Sequence, residues 1–295
     1  MLTRLAIGVA WLLHFLPLSL LAPIGAALGL AAYALVGRRR AICLRNLELC
    51  FPEMGDRERR ALARRHFRWL GRSYVERGLL WWASEARLRR LLRPEGFEHI
   101  TGATTPVIVL APHFLGLDAG GTCLNMEFPA VSMYARQKNA FVDALLVRYR
   151  NRFKPVTLVS RQEGLRPVIR GLRQGLLFYY LPDMDFGARD SIFVPFFGVP
   201  AATVPALSRL AAMTGAAVLP VVTRMLPGGA GYVVRVHPAW QDFPGPDIES
   251  DTRRMNAWIE AQAREPEMLA QYHWTHRRFK TRPPGEPSVY EVAPR

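Results

Sequence analysis

The sequence predicts an α/β fold, with a central β-sheet flanked by helices and an N-terminal membrane helix. Short apolar runs rich in β-branched residues recur through the middle of the chain, with helical segments between them. The stretch from Leu5 to Val36 contains no Asp, Glu, Lys or Arg. Because a helix needs about 20 apolar residues to cross a bilayer, this stretch is long enough to span one.

Composition indicates a well-packed protein with a polyanionic partner. Half of the 295 residues are hydrophobic, and the net charge of +15 comes almost wholly from arginine. Arginine binds two phosphate oxygens at once, so the partner can be an anionic membrane, a phosphorylated substrate or a nucleic acid. The chain has no recognised nucleic-acid-binding motif, so no nucleic acid is predicted. Its three cysteines form no C-x-x-C motif, which favours a reducing compartment.

Residues 1–40 are predicted to be the membrane anchor. Arg38, Arg39 and Arg40 follow the apolar stretch, so the positive-inside rule places the rest of the chain in the cytoplasm. Pro17 and Pro23 leave two alternatives open, a single kinked spanning helix or a short helix followed by one in the membrane interface.

Residues 41–295 are predicted to form one α/β domain, of which 41–95 is helical, arginine-rich and close to the membrane. A helix capped by Asp56 and a second one from Tyr74 to Trp82 are expected there. The pair Trp81 and Trp82 fits either a membrane-interface anchor or plain core.

Alternating strands and helices are predicted in the remaining part. The expected strands are Val107–Ala111, Val131–Tyr134, Val156–Ser160, Leu176–Leu181, Val218–Thr223 and Tyr232–His237. The expected helices run from the cap Asn139 to Arg152, and over Gly164–Gln174, Asp251–Glu265 and Met268–Thr275.

Polar side chains follow three of these strands, and one of them suits base catalysis. His113 ends the first strand, and a helix starting after it would turn Asp118 back toward the imidazole. A carboxylate that holds one ring nitrogen leaves the other free to accept a proton. Arg161, Asp183 and Asp185 lie at two further strand ends, where the same sheet edge would collect them.

Structural explanations are open for each of these residues. His113 can be a core histidine, Arg161 can close a strand end with a salt bridge, and Asp183 and Asp185 can cap the turn before Gly187. No serine elbow or phosphate-binding loop is present. No metal site is predicted, because the pair at 273 and 276 lacks a third nearby ligand.

Four blocks in order resemble the bacterial lipid A secondary acyltransferases, the lauroyl/myristoyl branch of the lysophospholipid acyltransferase superfamily. They are Asn46-Leu-Glu-Leu-Cys-Phe-Pro-Glu53, His113-x4-Asp118, Pro182-Asp-Met-Asp-Phe-Gly187 with Phe193-Val-Pro-Phe-Phe-Gly198, and His276-Arg-Arg-Phe-Lys-Thr-Arg-Pro283. The family usually has Tyr-Arg-Pro where this chain has Tyr134-Ala135-Arg136, so the resemblance makes Arg136 a substrate-binding candidate.

The resemblance implies a glycerolipid acyltransferase-like fold and an acyl transfer without a cofactor. The donor would be an acyl-carrier-protein thioester and the acceptor a hydroxyl of a Kdo-bearing lipid A precursor. His113 would be the general base, assisted by Asp118, with Arg161, Asp183, Asp185 and Arg136 binding substrate. The site would face the cytoplasm at the inner membrane of a Gram-negative bacterium, where anionic lipids are also expected partners.

Three alternatives remain at this point. The acceptor can be a lysophospholipid or another glycolipid within the same superfamily. The chain can be a non-catalytic basic protein that binds anionic lipid, or a membrane-anchored esterase, although the missing serine elbow disfavours an esterase.

Overall fold

A computed structural model describes residues 2–290, apart from the side chains of Leu2 and Arg161. The apolar N-terminus forms two helices, α1 (Leu2–Leu13) and α2 (Leu18–Leu35), and Pro17 is the N-cap of the second. Pro23 lies inside α2 without ending it. Among the described helices, α2 is long and apolar enough to cross a membrane, and 33% of it is buried within the protein.

Three helices follow α2: α3 (Gly37–Cys50), α4 (Asp56–Trp82) and α5 (Glu85–Leu91). The prediction of two helices between Asp56 and Trp82 was wrong, because α4 is continuous over 27 residues. Its interior Gly71 lowers helix propensity but lets α2 pack closely, since a Cβ there would lie 2.1 Å from the carbonyl oxygen of Gly25. Asp56 is the first helical residue, and Gly55 is the cap.

The α/β fold is confirmed by a seven-stranded mixed sheet in the order β1-β9-β8-β2-β5-β3-β4, with a separate two-stranded sheet formed by β6 and β7. All neighbours in the larger sheet are parallel except β8 and β9. The strands are β1 (Leu92–Glu95), β2 (Val107–Leu110), β3 (Ala130–Tyr134), β4 (Val156–Ser160), β5 (Leu177–Tyr180), β6 (Ile192–Phe196), β7 (Val199–Thr203), β8 (Ala217–Met225) and β9 (Tyr232–Val236).

The remaining helices are α6 (Glu98–Thr101), α7 (Leu117–Glu127), α8 (Ala140–Arg150), α9 (Arg166–Arg173), α10 (Ala206–Thr214) and α11 (Ile248–Arg264). Of these, α7 packs on β8 and β9 of the larger sheet, and α9 packs on β3 and β5. Asn139 caps α8 as predicted, since its side chain accepts hydrogen bonds from the N–H groups of Phe141 and Val142. Successive residues of β2 enter different cores, with Ile108 in one and Val109 in the other.

Other parts of the structure also differ from the prediction. Strand β1, the hairpin of β6 and β7, and helix α10 were not anticipated. The predicted helix Met268–Thr275 was wrong, because this segment forms turns and a β-bridge from Tyr272 to Phe114. Its apolar residues are buried by long-range contacts, and a helix-like spacing of apolar residues cannot distinguish such contacts from a helix.

Candidate active site

The pairing of two neighbouring strands brings His113 and Asp183 together. In the parallel register of β2 and β5, Leu110 lies opposite Tyr180. His113 and Asp183 each follow that pair by three residues, so both leave the sheet at the same edge. Pro112 and Pro182 precede them, and because proline cannot donate a ladder hydrogen bond, both strands end there.

The two side chains form a hydrogen-bonded pair. The Nδ1 of His113 lies 2.7 Å from Oδ1 of Asp183, and the backbone N–H of His113 donates to Oδ2 of the same carboxylate at 3.0 Å. The Tyr272 hydroxyl donates to Oδ2 at 2.9 Å. The Asp183 side chain is fully buried, whereas that of His113 is 19% exposed. The carboxylate therefore holds the imidazole from the protein side and leaves its other edge toward solvent.

Electrostatics keeps the carboxylate ionised. Burial by itself would raise the pKa of Asp183, but the charge and hydrogen bonds of His113, together with the Tyr272 hydroxyl, hold that pKa well below its usual range. Burial raises the pKa of Tyr272, so its hydroxyl stays a donor. An ionised Asp183 requires a proton on Nδ1 of His113, and the neutral imidazole then has Nε2 as its acceptor.

Other imidazoles beside the pair remain neutral at pH 7. Burial lowers the pKa of His273 to about 4, and its ring centroid lies 6.5 Å from that of His113. Burial also lowers the pKa of His276 to about 3, and its Nε2 accepts from the backbone N–H of Asp185 at 3.1 Å. A proton taken up by His113 therefore meets no second charged imidazole at His273 or His276.

The expected contact between Asp118 and the imidazole is not what the structure shows. Asp118 lies in the first turn of α7, where its Oδ2 pairs with Arg77 of α4 at 2.7 Å. Its side chain is 48% exposed. The spacing of five residues predicted the helical turn correctly, but the guanidinium on α4 attracts the carboxylate away from the ring, and Asp183 takes that place.

Asp185 and Arg136 have other partners than the imidazole of His113. Asp185 is buried and accepts from the N–H groups of Gly187 and Thr281, at 3.0 and 2.7 Å, so it caps the turn. The Arg136 side chain is 83% exposed and lies 3.8 Å from Asp143. Arg161 begins a short 3₁₀ turn after β4, and its side chain lies outside the described residues.

Sequence reasoning missed Tyr272 and Arg77. The segment of Tyr272 runs beside the histidine, because the N–H of Leu115 donates to Gln271 and the N–H of His273 donates to the carbonyl of His113. Nothing local to the sequence marks that long-range pairing. Arg77 is one of many arginines on α4, so only its contact with Asp118 distinguishes it.

A cavity of about 310 Å³ opens beside the first turn of α7. Leu117, Asp118 and Arg77 line it, and apolar residues form the larger part of its lining. Further lining residues include Leu80, Leu124, Phe128, Ala130, Leu146 and Leu177. The ring of Trp81, another wall residue, stacks on that of Tyr149 with centroids 5.2 Å apart, so it packs against protein. Two of its lining residues, Leu117 and Asp118, follow His113 by four and five residues along the chain.

Residues 1–281 match the model of the family described as bacterial lipid A biosynthesis acyltransferase. The chain is 37% identical over 295 residues to the lipid A biosynthesis lauroyltransferase of Escherichia coli K12, covering 98% of this chain and 94% of the relative. It is 34% identical to the palmitoleoyltransferase of the same strain, over 98% of this chain and 94% of that relative.

The chain therefore belongs to the bacterial lipid A biosynthesis acyltransferase family, and it is an acyltransferase of lipid A biosynthesis. The crystal structure of a 1-acyl-sn-glycerophosphate acyltransferase from Thermotoga maritima aligns with 77% of this chain and 95% of its own, at 18% identity and a TM-score of 0.36.

Proposed function

We propose that this enzyme transfers a fatty acyl group from an acyl-carrier-protein thioester to a hydroxyl of a Kdo-bearing lipid A precursor. The observation that carries the proposal is the His113–Asp183 pair at the strand ends, in which Asp183 holds Nδ1 of an imidazole that stays partly exposed. The family supplies the acyl transfer and the lipid acceptor. No cofactor is needed for this chemistry, because the thioester is already activated.

The mechanism is a direct attack assisted by a general base. Nε2 of His113 takes the proton of the acceptor hydroxyl while the hydroxyl oxygen attacks the thioester carbonyl carbon. Asp183 stabilises the imidazolium through Nδ1 and keeps the ring oriented. The tetrahedral intermediate then collapses, the carbon–sulfur bond breaks, and the departing thiolate recovers the proton from Nε2.

We assign Asp118 to the entrance of the acyl site. Its ion pair with Arg77 lies in the lining of the cavity and joins α7 to α4 there. The cavity would hold the hydrocarbon chain, because burying apolar surface is favourable by about 25 cal/mol per Å². The lauroyltransferase and the palmitoleoyltransferase are 37% and 34% identical to this protein, so sequence identity alone does not select the length of the acyl group.

The site is proposed to face the cytoplasm at the bacterial inner membrane, anchored by α2. Arg38–Arg40 immediately after this helix support the orientation. The arginine excess suits an acidic carrier protein and a phosphorylated acceptor alike. We also propose that Arg136 and Arg161 contact the substrate, because β3 and β4, which precede them, end at the same edge of the sheet as the strand before His113.

The test is His113→Ala in purified, detergent-solubilised full-length protein. With acyl-carrier thioester and lipid A precursor, we expect at least about 100-fold slower product formation by mass spectrometry, since general bases contribute about 10²–10⁴-fold. An unchanged thermal unfolding midpoint shows that the variant is folded.

Turnover by His113→Ala at the wild-type rate would refute the mechanism. Offering wild type a lysophospholipid in place of the precursor tests the alternative acceptor, and faster acylation of that lipid would replace the proposed one.

A further inference from the structure

A second cavity, of about 680 Å³, lies away from the histidine between the start of α3, the start of α4 and the C-terminal segment. Its lining is strongly basic, and we call it the arginine cleft. The five arginines that line it are Arg38, Arg45, Arg59, Arg60 and Arg277. The proposed reaction uses none of them.

The two carboxylates in the lining do not neutralise this cleft. Glu48 pairs with Arg45 at 2.8 Å, and Asp56 pairs with Arg59 at 3.0 Å. Among the described residues 2–290, Arg38, Arg60 and Arg277 form no ion pair. Three cationic side chains thus converge on one concave surface, and that favours an anion.

Two of the unpaired arginines are accessible from the cleft. Arg38 and Arg60 are exposed and line it, so their guanidinium N–H groups can donate to an oxygen-rich ligand there. The planar guanidinium fork matches two oxygens of one phosphate group.

The position of the cleft favours a membrane lipid as the source of that phosphate. Arg38 lies three residues after Leu35, the last residue of α2, and Leu35 is 83% exposed. An exposed apolar helix end beside arginines matches the boundary between hydrocarbon and headgroups. Ala41 and Ile42 add an apolar wall that suits the glycerol and upper chain of a lipid.

We propose that the arginine cleft binds the phosphate of an anionic membrane lipid. The cleft is separate from the catalytic histidine but connected to its surroundings. The Tyr290 hydroxyl donates to Asn46 on α3 at 2.6 Å, and Asn46 donates to the carbonyl of His276 at 2.6 Å. A lipid in the cleft would therefore contact α3, the helix whose Asn46 holds the backbone of His276.

The test measures lipid binding without any catalytic readout. Full-length protein in nonionic detergent is titrated with phosphatidic acid, and bound lipid is counted by native mass spectrometry. Both Arg38 and Arg60 are exposed, so R38Q/R60Q should fold normally, and it should bind phosphatidic acid at least about 10-fold more weakly, or about 1.4 kcal/mol. The matched control, R65Q/R68Q, removes two exposed arginines of α4 outside the cleft and should stay within about twofold of wild type.

Arg277→Lys tests whether the planar guanidinium matters for binding in addition to the positive charge. A lysine keeps the positive charge but loses the two parallel N–H donors, so we expect it also to weaken binding.

Three results would overturn the proposal. Equal losses in both double variants would mean that only bulk charge matters. Glycerol 3-phosphate binding as tightly as phosphatidic acid would mean that no lipid is selected. Unchanged phosphatidic acid binding in R38Q/R60Q, with weakened binding of an acidic carrier protein, would assign the cleft to that protein.

Discussion

The charge on Asp183 is the residue-scale feature on which the candidate site depends. The carboxylate accepts from the ring and backbone of His113 and from the Tyr272 hydroxyl, and it is buried among them. A buried carboxylate satisfied by three donors is rigid, so it fixes both the tautomer and the orientation of the ring. Asp118, by contrast, is half-exposed and belongs to an ion pair with Arg77.

This difference predicts unequal effects of two conservative substitutions. Asp183→Asn should lower kcat by about 100-fold or more, because the amide cannot stabilise the imidazolium. Asp118→Asn should lower kcat by less than about 10-fold, since an exposed ion pair contributes about 0–1 kcal/mol. Steady-state kinetics with the same substrates, alongside thermal unfolding of each variant, measures both. A larger loss in Asp118→Asn would return the assisting role to Asp118.

At the scale of elements, α7 and the neighbouring strands define the apolar cavity. Gly121 of α7 lines it, and a Cβ at that position would lie 3.6 Å from Cε1 of Tyr179, an ordinary contact. A larger side chain there must extend into the space assigned to the acyl chain. Adjacent Gly120 leaves no such room, since its Cβ would lie 2.1 Å from Oγ1 of Thr223.

Gly121→Leu should therefore shift the enzyme toward shorter acyl donors. We expect kcat/KM for the longest accepted donor to fall at least about 10-fold relative to a donor two carbons shorter, since each buried CH₂ contributes about 0.8 kcal/mol. Competition assays with mixed acyl-carrier thioesters, analysed by mass spectrometry, give this ratio directly. Gly121→Ala is the control and should leave the ratio unchanged. An unchanged ratio in Gly121→Leu would remove the acyl chain from this cavity.

At the scale of the whole molecule, buried histidines couple folding to pH. His66 on α4 is fully buried, its Nδ1 lies 3.0 Å from the carbonyl of Ala270, and burial lowers its pKa to about 3. Below the unfolded-state pKa of about 6.5, the unfolded chain binds a proton that the folded chain excludes. Stability is therefore lost as pH falls from about 6.5 toward 3. The lowered pKa of Asp183 adds to the loss only below about pH 4.

The free energy of unfolding should fall by about 1.4 kcal/mol per pH unit for His66 alone between pH 6 and 4. His273 and His276 add to this slope with the same sign, because their pKa values are also lowered. Urea titrations in detergent at several pH values measure the slope. His66→Gln keeps a donor for the Ala270 carbonyl, and it should reduce this slope by about 1.4 kcal/mol per pH unit, the contribution of one proton. An identical slope in that variant would show that His66 titrates normally in the folded state.

The sequence by itself determined the α/β class, the apolar N-terminus, most strands and the position of His113 at a strand end. Each of these depends on a local pattern of apolar residues or on a breaker such as Pro112. The resemblance of four sequence blocks also gave the family, which the comparisons confirmed.

Only the tertiary structure decided which carboxylate holds the imidazole. His113 and Asp183 are 70 residues apart and meet because β2 and β5 are neighbours in register. Asp118 is near in sequence, but it faces α4, where Arg77 pairs with it. Long-range contacts of the C-terminal segment also brought Tyr272 to the site and Arg277 to the arginine cleft. Contacts of this kind depend on long-range pairing energies, and no local spacing of residues encodes them.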